Sequence, residues 1–149
     1  MPVDPLEKLA ALNRPGAALN DKPRLEIGSD VEIATRVCKD LQRDFGEVVH
    51  AEGAFWRYED TLWVPVPEHE LRLAAHAFDG ALFKSPSGQA ACVKLSKSRV
   101  DSILHEMTAQ LAAPGFFSET SVGINCANGF IRFAEDGTPS LEPHHRDHR

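Results

Sequence analysis

Apolar positions along this chain recur at two different periods, and the switches between them lay out the elements. Ser29 with Glu32 three residues on forms a capping-box signature. Behind it Ile33, Ala34, Val37, Cys38, Leu41 and Phe45 recur at helical spacing, and Gly46 supplies a left-handed stop, so a helix is predicted over 30–45. In GEVVHAEGAFWRYEDTLWVPV the period changes. Residues 48–58 and 62–66 are rich in β-branched and aromatic side chains with the turn Glu59-Asp60-Thr61 between them, which predicts a hairpin with Gly53 as a bulge. Pro67, Glu68 and Glu70 suit the first turn of a second helix whose stripe is Leu71, Ala74, Ala75, Phe78 and Leu82, ending near Asp79-Gly80 or slightly later.

The segment KSPSG at 84–88 reads as a loop. A third helix begins at Ser96 or Ser98, the latter with Asp101 as its partner three residues on. It carries Val100, Ile103, Leu104, Met107 and Leu111 on one face and stops at Pro114-Gly115. Residues 121–126 and 130–134 then flank Ala127-Asn128-Gly129, and Asp136-Gly137 leads on to 139–142, a small antiparallel meander. The expected fold is α+β: three principal helices packed with two small antiparallel hairpins around one core. Residues 1–28 hold four prolines and only a short helical pattern at 5–12, the composition of a linker or loosely docked arm, which leaves 29–149 as the domain.

Composition narrows the class. A chain of 149 residues buries one substantial core, and 42% hydrophobic with 26% charged residues is the balance of an ordinary globular protein, so no special class is signalled. No apolar run approaches the roughly 20 residues that span a bilayer, and MPVDPLEKLA lacks the order of a signal peptide. A cytoplasmic protein without a membrane partner is expected. Cys38, Cys92 and Cys126 are odd in number, widely spaced and set among apolar neighbours, which suits small buried hydrophobes rather than disulfides. A net charge of −6 argues against a surface that grips nucleic acid everywhere and leaves room for a local basic patch.

Such a patch exists in the sequence. Lys84, Lys94, Lys97 and Arg99 fall within sixteen residues without an intervening acid, and the last two stand at the start of the third helix. Cations there oppose the helix dipole, and a phosphate would relieve both the charge and the open amides. Strand alternation puts Trp56 and Tyr58 on one face and Phe55 with Arg57 on the other, so that Trp56 is a candidate for base stacking, though core packing is the plainer role, and Arg57 is a candidate edge of a binding surface. Other chemistry is thin. No GxxxxGK[ST], GxSxG or CxxC occurs, and Asp44-Phe45-Gly46 and His145-Arg146-Asp147 stand in the wrong order, in too short a chain, for a kinase. The terminal HHRDHR offers His144, His145 and His148 as metal ligands, but Arg146 and Arg149 oppose a cation, and no metal is expected in this chain.

The order of these elements resembles a known family. GAFWRYEDTLWVPVPEHEL, the two helices after it and INCANGFIRF…GTPSLEPH are together similar to the domain that precedes the superfamily-three helicase module in poxvirus-type and phage or plasmid primase-helicases. Phe55, Trp56, Tyr58 and Trp63 stand in the places of its aromatic pattern. Asn128, Gly129, Ile131, Gly137, Pro143 and His144 stand in its late signature, and roughly residues 30–145 are covered. The resemblance implies a non-catalytic, DNA-associated and assembly domain, truncated before an expected ATPase module. The parent protein would be a hexameric DNA helicase using ATP and magnesium, often with a primase upstream, acting on single-stranded or forked DNA. The alternatives are an adaptor that docks a protein through its aromatic hairpin and a small metal-dependent enzyme using the terminal histidines.

Overall fold

The computed structural model describes residues 22–118 and 121–149; the predicted short helix at 5–12 lies outside them. Among the described residues there are three helices, α1 (Asp30–Phe45), α2 (Glu68–His76) and α3 (Lys97–Gln110). Eight strands accompany them: β1 (Val48–Ala51), β2 (Ala54–Glu59), β3 (Leu62–Pro65), β4 (Leu82–Lys84), β5 (Ala90–Cys92), β6 (Gly123–Cys126), β7 (Gly129–Phe133) and β8 (Pro139–Glu142). They form two three-stranded antiparallel meanders, β1-β2-β3 and β6-β7-β8, and one two-stranded hairpin, β4-β5. The α+β expectation describes this architecture. The residues group into two compact units, 22–41 with Pro67–Gln110 and Gln42–Val66 with Leu111–Arg149.

In the first unit each helix buries part of the stripe its sequence marks, with Ala74 and Leu104 only half-buried. Ile33, Ala34, Val37, Cys38 and Leu41 are buried on α1, Leu71 and Ala75 on α2, and Val100, Ile103 and Met107 on α3. Ser29 Oγ accepts the Glu32 amide at 3.2 Å, as a cap should. The Glu32 carboxylate, however, reaches further back than a capping box requires and takes the amides of Glu26 (2.6 Å), Ile27 (2.9 Å) and Gly28 (2.8 Å). Burial acts to raise its pKa, but these three N–H groups and the nearby Arg36 outweigh it and hold the carboxyl below its ordinary value. That knot fixes residues 26–28. Just before it, Leu25 is buried and bonded through its amide to the Leu82 carbonyl (2.8 Å), and Leu82 bonds back to Pro23 (3.1 Å). Residues 23–28, grouped by composition with a loose arm, are therefore packed into this unit.

Helix α2 is shorter than its stripe suggests, because Leu82 belongs to β4 rather than to the helix. The hairpin β4-β5 was not expected: each strand has three residues, too few to show a period. Ser96 caps α3 by accepting the Arg99 amide at 3.3 Å, which selects Ser96 over Ser98 as its start.

In the second unit β2 is central, and both of its faces are covered. Val49, Ala51, Trp63 and Phe116 form a buried cluster against which Trp56, Tyr58, Ala113 and Phe117 pack. Gly53 is the second residue of the Glu52-Gly53 hairpin turn, with φ of 50° and 78°, not a bulge; two consecutive positive values are what a tight primed turn requires. The terminal residues are docked here too. Trp63 Nε1 donates to the Arg146 carbonyl at 2.7 Å, the Arg149 guanidinium lies 4.0 Å over the Phe116 ring, and His148 stacks on Phe130 at 3.9 Å. All three cysteines are free. Only Cys38 is fully buried, its thiol pushed up to about 11 by desolvation, whereas Cys92 is exposed. No described helix is long and apolar enough to cross a membrane.

Candidate nucleic-acid interface

The six residues marked by the sequence fall in different places. Lys97 opens α3 and lines a cleft of about 690 Å³ together with Lys22, Arg72, His76, Asp79, Leu95, Ser96 and Val100. The cleft sits at the α3 N-terminus, where Ser96 caps one amide and the helix dipole favours an anion. Its charges are not all equally available. Arg72 donates to Glu68 at 2.7 Å and to Asp101 at 2.7 Å, and Asp79 accepts the Leu95 amide at 2.9 Å, which ties down that carboxylate. Lys22 and Lys97 are then the ammonium groups lining the cleft, with the exposed Lys94 three residues upstream of Lys97.

Arg99 has another task. Its guanidinium donates to Asp30 at 2.8 Å, to the Gly28 carbonyl at 2.9 Å and to the Lys94 carbonyl at 3.3 Å, tying the start of α3 to the start of α1. The cation at the helix N-terminus that looks anomalous in sequence is thus neutralised by a carboxylate within the same unit. Lys84 pairs with Ala90 at the loop end of the β4-β5 hairpin, while Lys94 follows the opposite end, so the two diverge.

Trp56 and Arg57 belong to the second unit and are engaged inside it. Trp56 is half-buried, donating Nε1–H to the Ala51 carbonyl at 2.9 Å and meeting Phe117 edge-on at 4.8 Å, so its ring packs in the core cluster. Arg57 is 7% exposed, lies 4.4 Å over the Phe45 ring and has Glu59 at 3.7 Å. A side chain covered to this degree is not the rim of a surface. The terminal histidines are also used locally. His144 sits 2.9 Å from Asn125 Oδ1, His145 is 3.2 Å from Asp147 Oδ2, and His148 is 3.4 Å from Glu142. No group of three or more His, Cys, Asp or Glu among the described residues is placed to hold a metal.

Sequence reasoning missed Arg72, His76 and Lys22. A signal existed for the first two: Glu68, Arg72 and His76 are spaced by four on one helix and share its polar face. Lys22 carried none, since nothing in a proline-rich segment indicates which side chain folds back onto a helix. No protein-family model, curated protein or solved structure matches the chain.

Proposed function

We propose that this chain is a non-catalytic, DNA-associated and assembly domain of a cytoplasmic replicative helicase-primase of the phage or plasmid type. The identity of the parent, its hexameric ring and its use of ATP and magnesium follow from the resemblance of the aromatic hairpin and the late Asn128-Gly129 segment. The observation that carries DNA contact is the cleft at the start of α3, lined by Lys22, Arg72, His76 and Lys97 with Lys94 close in sequence. Its chemistry suits a backbone phosphate rather than a base edge, because the ligands are ammonium groups and helix amides with no bidentate side chain free to read a base.

Three phosphate contacts give weak binding with a definite salt signature: at a slope of about 0.7 per contact for a single strand, affinity falls roughly twenty-fold from 50 to 200 mM salt. Repetition of the site in an oligomer raises the overall affinity through effective concentration. Fluorescence anisotropy with a labelled single strand tests this. The double variant Lys94→Glu/Lys97→Glu is expected to remove binding while leaving the thermal transition unchanged. Binding that is unaltered by the two reversals, or by salt, removes the assignment. Arg99 is a poor test residue, since its loss breaks the Asp30 and Gly28 contacts whatever the DNA does.

A further inference from the structure

The β6-β7-β8 meander is apolar on a face that nothing among the described residues covers. Its register pairs Ile124 with Ile131, Ile131 with Leu141 and Phe133 with Pro139, and the Phe133 amide donates to the Val122 carbonyl at 3.2 Å. Side chains alternate along a strand, so Val122, Ile124, Ile131, Phe133, Pro139 and Leu141 share one face. Val122 is 74% exposed, Ile124 55%, Leu141 58% and Phe133 37%. The opposite face carries Phe130 under His148 and the Arg132–Glu142 ion pair at 2.8 Å, so it is already occupied. A contiguous exposed apolar patch of this kind is a surface on which a small partner element could be buried.

Size and charge select the occupant. Three strands and five residues span roughly 14 by 17 Å, on the order of 250 Å². A stable association of two copies needs about 800 Å² from each partner, so this face is too small to hold a dimer alone. The same dimensions match one helix about 10–12 Å across and about eleven residues long. The charges on the rim are acidic. Glu135 and Asp136 stand exposed at the β7-β8 turn, and the Thr138 amide, donating to the Asp136 carboxylate at 2.9 Å, lowers the pKa of that carboxyl from its ordinary value. The one cation of residues 122–142, Arg132, is on the other face and engaged by Glu142.

The geometry points to this face as a docking site for a short amphipathic partner helix that presents an apolar stripe to Val122, Ile124, Phe133 and Leu141 and basic residues to the Glu135-Asp136 turn. This goes beyond DNA contact and uses a different unit of the molecule. The probe is a fluorescein-labelled peptide of about fourteen residues, with leucines spaced i, i+3, i+4, i+7 and lysines in its last turn, titrated against the full chain. Saturable binding is expected, weakened at least tenfold in Ile124→Lys/Leu141→Lys. Both positions are exposed, so the thermal transition should not move, and the Lys94→Glu/Lys97→Glu protein should bind the peptide as the parent does. The inference is overturned by absence of saturable binding, by equal affinity for the Ile124→Lys/Leu141→Lys protein, or by equal affinity for a peptide whose helix is broken with proline. It is also overturned if sedimentation shows a dimer that those two substitutions dissolve, or if phosphatidylserine vesicles capture the chain through the same residues.

Discussion

The two units solve the burial problem differently. In the first, the large apolar side chains exposed among the described residues are Ile27 and Val31; in the second they are Leu62, Val122, Ile124, Phe133 and Leu141. A helix turns through 100° per residue and can confine its apolar side chains to one stripe, leaving a polar back for solvent or for phosphate. A strand has only two faces. In β6-β7-β8 one face is occupied by Phe130 under His148 and by the Arg132–Glu142 pair, and the apolar face is left exposed. The first unit therefore presents charge and the second presents hydrocarbon.

The largest losses come from the cores. Phe116 lies against Trp63 (4.8 Å), Phe117 (5.0 Å) and the Arg149 guanidinium, so Phe116→Ala is expected to cost about 3–5 kcal/mol. The fluorescence of Trp56 and Trp63 during urea unfolding reads it. Ile103 is fully buried on α3, and Ile103→Ala is expected to cost about 2–5 kcal/mol by the helical circular dichroism signal. Little change in either would mean that the corresponding core is not packed as described.

Next in size is Gly129→Ala. A Cβ there would meet the Glu142 carbonyl oxygen at 2.5 Å on a backbone with φ of +152°, which L-residues rarely adopt. About 1–3 kcal/mol is expected from the displacement of β8, seen as a lowered thermal midpoint. The apolar face of the sheet would be distorted with it, so the same variant should bind the helical peptide less well.

Glu32→Gln is expected to cost about 0.5–2 kcal/mol, since the amides of Glu26, Ile27 and Gly28 exchange a charged acceptor for a neutral one. Its pH dependence has a fixed sign. The folded-state pKa lies below the unfolded one, so the stabilisation is present above the unfolded pKa and is lost as the pH falls through the folded value. The difference in stability between the parent and Glu32→Gln should shrink on acidification below the ordinary carboxylate range. A difference that stays constant with pH contradicts the charge-assisted role. Smallest of all, the exposed pair Ile124→Lys/Leu141→Lys is expected to stay within about 0.5 kcal/mol of the parent.

Much of the fold was legible because its signals were local. The Ser29 cap, the stripe from Ile33 to Leu41, the Pro67 helix start and the Asp136-Gly137 turn are each written in consecutive residues. What escaped the sequence is non-local. The three residues of β4 are specified by pairing with Ala90–Cys92 and by the Leu25–Leu82 bond, neither of which leaves a period. The candidate site divides in the same way. Lys97 at the α3 start was legible, but Arg72 and Lys22 reach the cleft through tertiary packing, and Arg99 was assigned to phosphate because the carboxylate of Asp30, sixty-nine residues away, is invisible to local reasoning. Trp56 and Arg57 show a limit of strand alternation: it separates two faces correctly without saying that both are covered.

The most direct test is an amide NMR titration of the chain with an oligothymidine strand at low and at raised salt. Shifts are expected to be confined to Lys22, the Arg72–His76 turn and the residues from Lys94 to Val100, all fading as salt rises. Shifts centred on β1-β2-β3 or β6-β7-β8, or a response that persists at high salt, would contradict the assignment of DNA contact to the cleft.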